Sequence, residues 1–128
     1  MELNLNFMNR EGQLKIQSYE FGVRIVKIAI RLKRENREYE LASQLIKSGT
    51  AVGAMICEAE FAESDRDYLH KFTVALKEMN ECRYWLKLLN DVEILEREIF
   101  SDIYFKSDNI FKMLIATIKT IKQKMSKP

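Results

Sequence analysis

At 128 residues the chain has room for one domain with a core of its own. Hydrophobic residues make up 47% and charged residues 31%, with only four glycines and a single proline, Pro128. That composition suits long unbroken helices and excludes a turn-rich all-β chain, while a net charge of +2 is too small to announce nucleic acid by itself.

No apolar run approaches the roughly 18 residues of a membrane span. The opening "MELNLNFMNREGQ" lacks a charged start followed by an apolar block, so no secretory signal is expected. Cys57 and Cys82 are then expected as free thiols in a reducing compartment, and the expected location is cytoplasmic.

In chain order, residues 1–17 read as an N-terminal tail. The first helix is predicted over 18–34, with Ser18 as N-cap and Glu20 in the first turn. Phe21, Ile25, Ile28 and Leu32 form its stripe, widened by Gly22, Val23, Val26, Ala29 and Ile30 until only a narrow face stays polar. A second helix is predicted over 37–62, opening near Asn36 as cap, with Leu41, Leu45, Ile46, Gly49, Val52, Gly53 and Ile56 on its buried line. After the break at "AESD", Ser64 with Asp67 three residues later makes a capping-box pattern. The third helix, 65–90, keeps the helical period through Leu69, Phe72, Leu76, Met79, Leu86 and Leu89. The linker "NDVEIL" is ambiguous at both ends. The fourth helix, 96–124, carries Phe100, Ile103, Ile110, Leu114 and Ile121, with Met125 just beyond, and has weak helix formers at Ser101 and Ser107–Asn109 where a break or bend is open. Residues 126–128 read as a tail.

Four such helices joined by short loops alternate in direction, which makes an all-α, up-down-up-down four-helix bundle over 18–125. The bundle has more apolar surface than its own core takes. A helix covered on one side needs three or four apolar positions per two turns. Between Phe21 and Leu32, however, only Arg24, Lys27 and Arg31 are polar. The third helix adds Val74, Trp85 and Leu88 beside its main stripe, and the fourth adds Tyr104, Phe111, Met113, Ile115 and Ile118. A thick core with some exposed side chains is one explanation. Burial between subunits is the other and the one adopted here, with Val23, Ile30, Val74, Trp85 and Leu88 as the expected oligomer interface.

The stretch "SGTAVGAMICEAEFAES" puts two glycines inside a helical pattern, each costing about 1 kcal/mol against alanine. Gly49, Gly53 and Cys57 step by four and so form one line of small side chains, which predicts close packing of a neighbouring helix. A phosphate-cradling loop fails on context, because no strand precedes it and no Gly-Lys-Ser/Thr follows.

Catalytic chemistry is missing from the pattern. Asp67-x-x-His70 resembles half of a carboxylate-bridged metal site, but His70 is the only histidine, so a matched second half does not exist. The cysteines lack zinc spacing, and no nucleophile elbow accompanies His70. Glu78 and Glu81 read as surface or structural ion-pair partners. No catalytic residue, metal or cofactor is expected, and no small-molecule substrate.

Charge is more informative. Arg24, Lys27, Arg31 and Arg34 make a basic stripe down the first helix, continued by Arg37. Lys112, Lys119 and Lys122 repeat it on the fourth, with Lys124 and Lys127 leading into the tail, while acidic residues gather over 58–67. Such a stripe is either a solvated helix face or a phosphate-binding surface, and several copies in an oligomer strengthen the second reading. Arg24, Lys27, Arg31, Arg34, Lys112, Lys119 and Lys122 are the candidate nucleic-acid contacts.

Three stretches, "SYEFGVRIVKIA", "QLIKSGTAVGAMICEAE" and "VALKEMNECRYWLKLL", resemble the bacterial four-helix-bundle family encoded in the intervening sequences of 23S ribosomal RNA genes, also called S23 ribosomal proteins. The resemblance implies an up-down bundle assembling into a homopentameric barrel. It also implies similarity to the accessory protein of diversity-generating retroelements, whose basic pentamer binds nucleic acid near a reverse transcriptase. Matching positions include Gln44, Ser48, Thr50, Glu58, Glu78, Glu81, Arg83 and Trp85. The chain departs from the pattern at Met55 (commonly asparagine), at Cys57, and in lacking a proline in "RENREYE". The expectation is a non-enzymatic homo-oligomer that binds structured RNA or DNA, with a protein–protein scaffold as the alternative.

Overall fold

A computed structural model describes residues 2–127, with side chains from Asn9 onward; Met1 and Pro128, the outermost residues of the two expected tails, lie outside the described residues. Four helices follow one another: α1 (Glu2–Glu35), α2 (Tyr39–Ala59), α3 (Asp65–Asp91) and α4 (Arg97–Met125). Each packs on its sequence neighbours, and α4 closes back on α1. Cross-helix pairs show the antiparallel register directly. Arg24 meets Asp102 and, further along α1, Arg31 meets Glu96, so one helix ascends as the other descends.

The core is the sum of the four stripes. Leu14, Phe21, Ile25, Leu45, Val52, Phe72, Met79, Leu86, Leu89, Ile103, Ile110 and Leu114 are all but fully excluded from solvent. Fully burying side chains of this size contributes about 1.5–3 kcal/mol each, which is what holds the helices together.

The helix ends correct several expectations. Residues 2–17 are not a tail but the first half of α1, and Ser18 is not a cap. It sits buried in mid-helix and its Oγ donates to the Lys15 carbonyl at 3.3 Å. The reason is that the stripe starts earlier: Leu14 lies seven residues before Phe21 and is fully buried. α2 opens at Glu38 rather than Asn36, and the Glu38 carboxylate accepts the Leu41 N–H at 3.2 Å. Asn36 instead belongs to the end of α1, its N–H donating to the Leu32 carbonyl. α2 also stops at Ala59, short of residue 62.

Ser64 caps α3 as its spacing predicts, accepting the Asp67 N–H at 3.0 Å while Asp67 accepts the Glu63 N–H at 3.2 Å. α3 ends in a Schellman arrangement. The Ile94 N–H reaches the Leu89 carbonyl, the Glu93 N–H reaches Asn90, and Glu93 takes φ 62°, a left-handed value usually left to glycine. This settles the ambiguous linker, since it drops Leu95 into the core. α4 then runs unbroken, and Ser107 is tolerated because its buried Oγ donates to the Tyr104 carbonyl at 2.6 Å.

Candidate functional site

The glycines of α2 face α1. A Cβ on Gly49 would stand 2.6 Å from Ile25 Cγ2 and 2.9 Å from its Cγ1. One on Gly53 would stand 3.3 Å from the Ser18 carbonyl oxygen. Glycine lets the two backbones approach, and the contact leaves a trough on the outer side of the α1–α2 pair. Cys57, third in the line of small residues, is exposed and lies on the trough wall rather than between the helices.

That trough encloses about 510 Å³. Gly22, Val23, Val26, Gly53, Ala54 and Cys57 line it, with Tyr19 beside them and Lys15 and Lys27 at its edges. Lys15 is held by Glu60, while Lys27 has no ion pair among the described residues. Of the five expected interface residues only Val23 lines this surface. Ile30 is half exposed further along α1. Val74, Trp85 and Leu88 are partly buried on α3, with Trp85 against the core and its Nε1 donating to Glu81 at 3.3 Å. The five therefore occupy two separate surfaces. Tyr19, Val26 and Ala54 were missed; they line the trough beside the close approach of Gly53 to Ser18, and a stripe too wide for one core was the sign that they were available.

The basic residues divide as well. Arg24 pairs with Asp102 at 2.5 Å, and Lys106 reaches the same carboxylate at 3.4 Å. Arg31 is held by Glu35 at 2.9 Å and by Glu96, and Arg34 approaches Glu35 at 3.7 Å. Hydrogen bonds from Arg24 and then Lys106 hold the Asp102 carboxyl below its usual range, and Arg31 does the same for Glu35. On α4, Lys112 pairs with Asp108 at 2.9 Å, whereas Lys119 and Lys122 are exposed with no ion pair among the described residues.

Several positions singled out by resemblance satisfy themselves. Ser48 and Thr50 donate to the Gln44 and Ile46 carbonyls at 2.9 and 2.7 Å. Arg83 lies between the Tyr104 and Phe111 rings, 4.7 and 4.8 Å from their centroids, and bonds Asp108 at 3.2 Å. Glu58 lies 3.7 Å from Lys71. His70 is exposed, and among the described residues no group of three or more metal-ligating side chains gathers. Cys82 is buried and its thiol is pushed up to about 12 by that burial. No helix among the described residues is long and apolar enough to cross a membrane.

The family model described as 23S rRNA-intervening sequence protein matches residues 11–116, most of this bundle. The chain belongs to that family. Among solved structures it is similar to a protein of unknown function from the S23 ribosomal protein family of Bacteroides thetaiotaomicron VPI-5482. The two share 43% identity with a TM-score of 0.84, over 86% of this chain and 98% of the other. No curated protein matches. The family match leaves out the first turns of α1 and the last turns of α4, where this intervening-sequence protein carries Lys119 and Lys122.

Proposed function

We propose that this is a non-enzymatic, cytoplasmic bundle that assembles with copies of itself and carries structured RNA or DNA on its basic faces. The homopentameric barrel, and the likeness in mode of action to the retroelement accessory protein, are what the family resemblance adds. The observation that carries the proposal is the α1–α2 trough, a built apolar surface with small residues at its floor and Val23 and Val26 on its wall. Apolar surface of this kind on a protein's outside usually marks an interface. Repetition in an oligomer would turn modest basic faces into a considerable one.

Sedimentation of the full chain tests the assembly, with Val23→Asp/Val26→Asp as the variant. A pentamer that falls to monomer in the variant supports the proposal; a wild-type monomer that stays soluble defeats it. Binding to a 23S-type RNA stem, an unrelated RNA duplex and a DNA duplex across a salt series tests the second half. Phosphate contacts predict an affinity falling by roughly one log unit per log of salt for each phosphate neutralised.

The alternative, a protein–protein scaffold without nucleic acid, draws support from the α1 stripe, where Arg24, Arg31 and Arg34 already have carboxylate partners. Absence of binding at low salt from a folded oligomer would favour it.

A further inference from the structure

Resting on the nucleic-acid reading above, we infer that phosphate is held by the last third of α4, at Lys119 and Lys122, and not by the arginines of α1. Along α1 and the facing part of α4, cations and carboxylates nearly balance. Arg24 and Lys106 share Asp102, while Arg31 and Arg34 share Glu35, and Arg31 also takes Glu96. A phosphate arriving there displaces a carboxylate already in contact, so each new attraction is offset by a broken one. Two of these pairs, Arg24–Asp102 and Arg31–Glu96, also tie α1 to the start of α4, and those two arginines serve the fold.

Further along α4 the balance is lost. From Asn109 to the end of the chain there are five lysines and no acidic residue. Asp108 is the last carboxylate, and it is divided between Arg83 and Lys112, leaving the Lys112 side chain 73% exposed. Glu11 of α1 faces Lys124. Lys119 and Lys122 are left exposed, without an ion pair among the described residues, and three residues apart on one helical face, about 4.5 Å in rise. Both lie beyond the residues matched by the family model, so the assignment concerns this chain in particular.

A competing role exists, because cations in a last helical turn offset the partial negative charge of the helix C-terminus, and Lys122 is in that turn. Two readouts on the full chain separate the roles: duplex RNA and duplex DNA binding across a salt series, and the thermal midpoint. Lys119→Gln/Lys122→Gln is expected to flatten the slope of log affinity against log salt by about two, roughly one per lysine, and to weaken binding at low salt by about tenfold per lysine, with little change in midpoint. Arg24→Gln/Arg31→Gln is expected to lower the midpoint and keep the slope. A flattened slope in the arginine variant alone, or a lysine variant that changes only the midpoint, overturns the assignment. If the wild-type chain binds neither duplex at low salt, the nucleic-acid reading fails and this assignment with it.

Discussion

All four glycines lie in helices, and they form a graded test of what glycine does in this bundle. Replacing a helical glycine by alanine gains about 1 kcal/mol of propensity wherever the new Cβ has space. At Gly12 and Gly22 nothing lies within 4 Å of that Cβ, so both substitutions should stabilise by roughly that amount. At Gly49 the Cβ would lie 2.6, 2.9 and 3.1 Å from three atoms of Ile25. Ile25 is fully buried and β-branched, with no free end to swing aside. Overpacking of this kind costs about 1–3 kcal/mol, so Gly49→Ala should be destabilising by about 1 kcal/mol net. At Gly53 the nearest atom, the Ser18 carbonyl oxygen at 3.3 Å, is tight but not prohibitive, and the two effects should nearly cancel. Thermal unfolding followed by circular dichroism measures the series, and 1 kcal/mol corresponds to about 4 °C in midpoint for a domain of this size. If Gly49→Ala stabilised as much as Gly12→Ala, the close approach of α1 and α2 at this point would be wrong.

The remaining predictions concern ends, charges and thiols. Ser64→Ala should cost about 1 kcal/mol through loss of the α3 cap, read by the same unfolding assay. Glu93→Gly should stabilise by up to about 1 kcal/mol, since it relieves a left-handed residue in the Schellman turn; a loss of stability would contradict that geometry. Asp102, Glu35 and Asp108 have folded pKa values held below their ordinary 3.8, 4.5 and 3.8. Their contribution is therefore present above those values and lost as pH falls through the lower folded ones. Acid unfolding should steepen below about pH 4, and Arg24→Gln should flatten it. Glu11, raised mainly by burial, works in the opposite sense, favouring the folded state as pH falls toward 4.5. A thiol reagent should modify Cys57 in dilute native protein while Cys82 reacts only on unfolding; equal rates would contradict their placement.

The bundle was legible because its signal is periodic and long. Phe21, Ile25, Ile28 and Leu32 recur at helical spacing, and each is buried as that spacing demands. The start of α1 was less legible, since Ser18 offers a good cap in isolation and only the heptad-spaced Leu14 argues otherwise. Which serine caps and which sits in mid-helix is decided by what packs beside it: Ser64 stands in a turn, Ser18 against Gly53. The basic stripe was visible as a stripe, but its availability was not. Asp102 and Glu96 lie 78 and 65 residues from Arg24 and Arg31, and only the folded register brings them together. The trough could not be read either, because its shape comes from two helices meeting at glycine.

The closure of α4 onto α1 has a further consequence. With an even number of helices the chain begins and finishes at the same pole of the bundle, where Arg10 of α1 donates to Thr120 of α4 at 3.0 Å. A short peptide joining the two termini, with new ends cut into the α2–α3 turn around the exposed Phe61, gives a circular permutant that keeps every interhelical contact. Any label fused at either end of this chain then stands at one pole and leaves the opposite one bare. In an assembly whose protomers all point the same way, every such label would crowd a single rim.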